Sequence, residues 1–257
     1  MQSGSATASG PVTFDGFVSP CKEAVLKTIG LLGGTSWPST IEYYRLLNEL
    51  AQEKLGGFHS ASLLLRSIDY HDIKSRYYDR WAEIPALLER EIRAFVALRP
   101  DCLVICNNTL HKAFDAIAAK LALPVPMFHV VEATGRAARS RNLHRLLLLG
   151  TKFTMEDGFY HRGLERFGLH VETPGEEDRT TIQQIQSQLA RGIMADSFRR
   201  DLAALIEKRA GTVDAVVLAC TELPLAIRQT DCRVPVLNPT ELQCREAFEF
   251  AAGISAA

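Results

Sequence analysis

The feature that most constrains this chain is a pair of strand ends that recurs at nearly constant spacing. TIGLLGGTSW (28–37) and LLLLGTKFT (146–154) are apolar runs that stop at glycine and then threonine. LVICNNTLHK (103–112) and VVLACTELPL (216–225) are aliphatic runs that stop at cysteine and pass through small polar residues into helix-forming sequence. Gly34 and Gly150 are 116 positions apart, and Cys106 and Cys220 are 114 apart. An offset held that closely implies one α/β unit used twice, with a cysteine at a matching place in each. Continuous apolar strands of this kind are buried on both faces of a parallel sheet, and such sheets bind ligands at the carboxyl ends of their strands.

The rest of the chain alternates in the same way. Apolar periodicity predicts helices over 40–55, 83–99, 112–121, 131–141, 155–168, 198–210 and 241–252, with strands at 61–69, 143–151, 170–174 and 234–238 between them. A long amphipathic helix with Ile182, Ile185 and Leu189 on its apolar side follows the acidic run at 176–178. Ser36 or Ser39 is expected to cap the first helix, with Pro38 in its first turn, and Thr154 to cap the helix at 155. Two α/β domains are expected: 28–125 with 237–257 as the first and 126–236 as the second, the C-terminal helix returning to the first. Residues 1–27 are rich in Ser, Gly, Ala and Thr without apolar periodicity, which reads as a disordered extension or an expression remnant.

Composition narrows the partners. Lys and Arg total 29 against 30 for Asp and Glu, so no basic surplus points to nucleic acid, and a small zwitterionic ligand fits better than a polyanion. No run approaches the roughly 18 apolar residues of a membrane span. Without a secretory pattern, the six cysteines (Cys21, Cys102, Cys106, Cys220, Cys232, Cys244) read as reduced thiols rather than a disulfide framework, and a cytoplasmic location is expected. No Cys-x-x-Cys spacing supports a zinc site. Gly33-Gly34 could let backbone approach a ligand or could be only a tight corner; the spacing is neither a dinucleotide fingerprint nor a phosphate loop.

Cys102 and Cys244 read as buried hydrophobes. Cys106 and Cys220 differ, because hydroxyl and amide side chains follow each of them at a helix entry, where backbone amides stabilise a thiolate. Two thiols facing each other across a pseudo-symmetric cleft can take a proton from one face of a carbon and return it to the other. The candidate groups around them are Asn107, Asn108, Thr109, Thr35, Thr151, Thr221 and Glu222, with helix capping as the alternative role for the Thr and Asn residues. Arg76, in YHDIKSRYYDRW (70–81), could pair with a substrate carboxylate or simply be a solvated surface group.

These residues carry a resemblance. From about Thr28 to Ala252 the chain resembles the cofactor-independent aspartate/glutamate racemase superfamily, and it is most similar to the aspartate racemase and broad-specificity amino-acid racemase branch. IGLLGGTSWPSTIEYYRLLNE (29–49) resembles that branch's opening motif, LLGT (148–151) its middle one and VVLACTELPL (216–225) its second cysteine signature. The resemblance implies two pseudo-symmetric Rossmann-like domains with parallel sheets, an active-site cleft between them, no pyridoxal phosphate, no metal, and a homodimer. It implies racemisation of a small amino acid, aspartate first and glutamate second, by cysteine acid/base chemistry at Cα. Hydantoin racemisation, maleate isomerisation, decarboxylation and a silent amino-acid binder are the alternatives.

Two departures bear on mechanism. The usual first signature is Cys-Asn-Thr-x-His, whereas this chain has Cys106-Asn107-Asn108-Thr109-Leu110-His111, so that Asn107 falls on the cysteine's usual place when Asn108-Thr109 and His111 are matched. Neighbouring strand residues point to opposite faces, so either Cys106 or Asn107 addresses the cleft. Asn238 stands where many relatives have an aspartate.

Overall fold

The computed structural model describes residues 26–254. The expectations for Cys21 and for residues 1–25 lie outside the described residues. Of the expected extension, Lys27 is tied down: its amide donates to the Ala251 carbonyl at 3.0 Å, and its ammonium lies 4.0 Å from the centre of the Phe250 ring.

The first half runs β1 (Ile29–Gly33), α1 (Trp37–Leu55), β2 (Leu63–Ser67), α2 (His71–Lys74), α3 (Ile84–Val96), β3 (Cys102–Ile105), α4 (Leu110–Asp115), α5 (Ala118–Leu121) and α6 (Val130–Ser140). The second runs β4 (Arg145–Gly150), α7 (Lys152–Glu156), α8 (Phe159–Glu165), β5 (His170–Glu172), α9 (Glu176–Leu189), α10 (Asp196–Glu207), β6 (Ala215–Ala219), α11 (Leu223–Ala226), β7 (Val236–Leu237) and α12 (Pro239–Ala252). All strand pairs are parallel, in the orders β2-β1-β3 and β5-β4-β6-β7. A bridge from Leu103 to Met127 supplies the first sheet with the counterpart of β7. The fold is α/β, with two parallel sheets of matching order.

Ladder register fixes which residues of the halves correspond. The Leu103 amide donates to the Pro126 carbonyl and the Val216 amide to the Pro235 carbonyl, each at 2.9 Å, so Leu103 matches Val216. Counting onward, Cys106 matches Ala219 and Asn107 matches Cys220. The apolar clusters agree. Cys106 packs with Cys244, Ala247 and Phe248 of α12, while Ala219 packs in the cluster that contains Val130, Val131 and Ala133 of α6. The repeat is real, but its two cysteines are one position out of step.

The helices that follow the two sheets are exchanged. Helix α6 leaves the first sheet at Met127 and buries Val130, Val131 and Ala138 against Leu146, Leu148 and Val217 of the second. Helix α12 leaves the second sheet at Leu237 and buries Cys244, Phe248 and Ala251 against Ile29, Leu31 and Val104 of the first. Each is capped by the side chain before it: His129 Nδ1 accepts from the Val131 amide and Asn238 Oδ1 from the Thr240 amide, both at 3.2 Å. Asn238 thus terminates β7 and starts α12, a capping role that an amide oxygen fills well.

Three local expectations differ. The first helix begins at Trp37, and neither Ser36 nor Ser39 caps it, because both hydroxyls reach across to the other half of the molecule. The helix expected over 155–168 breaks at Gly158 (φ 83°) into α7 and α8, and its cap is Thr151, whose Oγ1 accepts from the Thr154 amide at 3.1 Å. The double glycine is a corner: Gly34 has φ 83°, and a Cβ there would lie 2.2 Å from the Ile68 carbonyl oxygen. Only glycine fits that turn.

Candidate active site

The carboxyl ends of β1, β3, β4 and β6 converge on a cavity of about 310 Å³, at the small end of the range for ligand pockets. Thr35, Asn107, Asn108, Thr109, Thr151, Cys220, Thr221 and Glu222 all line it. Cys106 does not. Its thiol is fully buried beside Tyr43 and Cys244, and burial alone raises its pKa well above the ordinary thiol range. Arg76 is also outside, with its guanidinium bonded to Glu83 and to the Asp72 carbonyl. Strand alternation explains the first exclusion: with Val104 and Cys106 facing α12, Asn107 turns to the cleft.

Cys220 and Glu222 are in direct contact in the cleft. The Cys220 thiol donates to Glu222 Oε2 at 2.8 Å, and both residues are about 95% buried. Burial first, and then the charge of Glu222, pushes the thiol well above its usual pKa. Ser36 and Ser39 donate to Glu222 Oε1 at 3.1 and 3.2 Å, and Thr221 donates to Oε2 at 3.0 Å. The two serine bonds join the two halves of the chain. Ser36 holds φ 85°, a region non-glycine residues rarely occupy, and its strain of about 1–3 kcal/mol is offset where the hydroxyl meets a buried carboxylate.

The opposite wall is built from the first cysteine loop. Asn107 Oδ1 accepts from the Leu110 amide at 2.9 Å, and its Nδ2 donates to the Thr35 carbonyl at 3.2 Å and the Tyr70 hydroxyl at 3.3 Å. The Thr35 hydroxyl donates to the Cys106 carbonyl at 3.0 Å. Asn108 Oδ1 accepts from the Tyr160 hydroxyl at 2.7 Å, and its buried Nδ2 has no hydrogen-bond partner among the described residues. A buried donor without a partner is costly, and a carboxylate in the cleft would satisfy it.

Sequence reasoning passed over part of the cleft lining. Lys74, Tyr70, Tyr77 and Phe153 belong to it, with Gln183 and Gln186 from α9. Lys74 lies two positions before Arg76, and the short turn of α2 sends the two cations to different sides; nothing in the local sequence distinguishes them. Desolvation draws the Lys74 ammonium below its usual pKa, against the pull of Cys220 and Glu222. Burial pushes the Tyr70 hydroxyl up to about 12. Trp81 stacks on Phe153 with ring centres 4.8 Å apart, and Lys112 sits 4.4 Å from the Trp81 ring while pairing with Asp157.

Known proteins share this fold. The family profile described as Asp/Glu/Hydantoin racemase matches residues 32–247. A candidate Asp/Glu racemase from Yersinia pestis superposes with a TM-score of 0.79 at 35% identity, covering 88% of this chain and 99% of that one. An aspartate racemase homologue from Pyrococcus horikoshii OT3 gives a TM-score of 0.79 at 31% identity, covering 88% and 100%. The broad specificity amino-acid racemase RacX of Bacillus subtilis (strain 168) is 26% identical over 177 residues, 67% of this chain and 70% of its own length. The chain spans about half the length of curated glutamate racemases it matches, such as those of Aquifex aeolicus and Campylobacter jejuni. With a match that reaches from the end of β1 into α12, on a fold in which two parallel sheets meet at a thiol-bearing cleft, the chain belongs to the Asp/Glu/Hydantoin racemase family and is an isomerase of the racemase kind.

Proposed function

We propose that the protein exchanges the Cα proton of a small amino acid, aspartate first and glutamate second, with no cofactor, and that Cys220 is its one cysteine acid/base. The observation that carries this is the buried Cys220–Glu222 pair in a cleft whose other wall offers an unpartnered amide donor at Asn108. Glu222 accepts the thiol proton. The thiolate then takes the proton from Cα, leaving a carbanion whose charge spreads into the substrate carboxylate. Asn108 Nδ2 and the Thr109 hydroxyl stabilise that charge as oriented dipoles. Return of the proton from Cys220 restores the starting enantiomer; inversion needs a donor on the other face.

Asn107 occupies that other face. A carboxamide does not accept a proton near neutral pH, so exchange on this side is slow and turnover is lopsided. Lys74 supplies the cation for a second carboxylate. A homodimer belongs to the same reading, supported by the exposed stripe of Trp37, Ile41 and Tyr44 along α1. A cytoplasmic location fits the free thiols at Cys102, Cys106, Cys220, Cys232 and Cys244. No helix among the described residues is long and apolar enough to cross a membrane.

The test is Cα deuterium incorporation in heavy water. Wild-type protein should label L- or D-aspartate, and Cys220→Ser should lose at least a hundredfold of that rate, within the range general acid–base groups contribute. Wild type that binds amino acids but labels none would make it a silent binder.

A further inference from the structure

Behind the cleft wall runs a chain of wholly buried polar side chains that proton transfer leaves unused. The Tyr43 hydroxyl donates to Gln243 Oε1 at 2.8 Å. Gln243 Nε2 lies 2.6 Å from the Phe128 carbonyl oxygen and 3.2 Å from His111 Nε2. His111 Nδ1 lies 2.8 Å from the Asn107 carbonyl oxygen. Tyr43, Gln243 and His111 all have no exposed surface.

The direction of each bond follows from the groups at the two ends. The Phe128 carbonyl can only accept, so the nitrogen of Gln243 must face it. The second hydrogen on that nitrogen points at His111 Nε2, which is therefore an acceptor. A neutral imidazole carries one N–H. It must then sit on Nδ1, where it meets the Asn107 carbonyl, another group that can only accept. Burial, aided by the His129 ring 4.5 Å away, lowers the His111 pKa well below its ordinary value and keeps the ring in this neutral form.

The Asn107 carbonyl shares a planar trans peptide with the Asn108 amide, and the two point in opposite directions. Asn107 and Asn108 line the cleft while His111 lies behind them, so a carbonyl held on His111 turns the Asn108 N–H toward the cleft. That places it on the same side as the unpartnered Asn108 Nδ2. We propose that Gln243 is a positioning residue: from the C-terminal helix it fixes the His111 tautomer, and through it sets the Asn107–Asn108 peptide so that the Asn108 N–H receives the substrate's carboxylate. The proposal rests on the amino-acid reading of the cleft.

Nitrogen-15 NMR of the full-length protein reads the tautomer directly. His111 should carry its proton on Nδ1, the minor form of free imidazole. Gln243→Glu puts an acceptor opposite His111 Nε2 and should move the proton to that atom. The Asn107 carbonyl then faces a lone pair and the peptide turns away. Because the carboxylate is held in both ground and transition states, KM for L-aspartate should rise about ten- to a hundredfold with kcat within about threefold, the signature of lost uniform binding. Should that variant fail to fold, Tyr43→Phe releases Gln243 Oε1 and should raise KM about threefold. A wild-type His111 protonated on Nε2 overturns the proposal, as does an unmoved KM in a folded variant. Absence of Cα exchange in wild type with the proton still on Nδ1 counts against the racemase activity and not against the hydrogen-bond chain.

Discussion

Asn107→Cys puts a thiol at the register equivalent of Cys220, and the structure sets both its cost and its gain. The native side chain holds three hydrogen bonds, one to the Leu110 amide at the entry of α4 and two longer ones to Thr35 and Tyr70. Removing a capping acceptor costs about 1 kcal/mol, and each long neutral bond adds about 0.5 kcal/mol. The variant should therefore lose about 2 kcal/mol, a fall in Tm of about 4–8 °C for a chain of this size. Activity should move the other way. A well-placed acid/base contributes about 10²–10⁴-fold, and a thiol without optimised neighbours should recover about tenfold of that in the slow direction. The assay follows Cα deuterium incorporation into L- and D-aspartate separately by proton NMR, beside a thermal melt. Equal exchange of both enantiomers by wild type would refute the reasoning, and so would a variant that melts earlier yet gains nothing on the slow face.

Three further outcomes are expected. Cys106→Ser should leave the exchange pattern of both enantiomers intact while lowering Tm, because it puts a hydroxyl among apolar groups around α12, whereas Cys232→Ser should change neither; enantiomer-resolved exchange and melts of both variants check this. Lys74→Met should raise KM for aspartate about tenfold but leave KM for alanine within twofold, since only the former has a second carboxylate to lose a partner. Stability should fall as pH rises above about 9: the unfolded chain then releases thiol protons that the native state keeps, because burial raises Cys102 to about 12 and also raises Cys244, so the native state binds more protons and each thiol costs up to about 1.4 kcal/mol per pH unit. Urea midpoints from pH 8 to 10.5 measure it, and a flat profile would show that the thiols are hydrated in the native state.

Much of this arrangement is legible in the sequence because strand burial writes itself plainly. Leu103 to Ile105 and Val216 to Leu218 read as inner strands, and the small polar residues after them do line the cleft. The exact correspondence was less visible. Matching cysteine to cysteine gives an offset of 114, but hydrogen-bond register aligns Leu103 with Val216, and the side-chain alternation of β3 then carries Cys106 into the core. Residues that meet only in three dimensions leave no local trace. Ser36 and Ser39 look like caps until β6 of the second sheet brings Glu222 to them, and Lys74 and Gln243 sit in ordinary helical sequence. Gly158 carries a break that periodicity over 155–168 hides, since a left-handed residue costs a helix one turn without changing which residues are apolar.

The exchange of α6 and α12 between the sheets also governs how the molecule can be divided. A chain severed near Asn142, in the turn between α6 and β4, would yield two fragments that each lack one of the helices covering their own sheet and each carry one that covers the other's. Each fragment alone leaves part of one sheet face uncovered, and mixed together each supplies what its counterpart misses. The pieces should associate as complements, and the intact protein should melt in a single transition in spite of its two sheets. Any relative movement of the sheets must pass through the segments that lead into the two crossing helices, at His129 and Asn238, where the capping side chains sit.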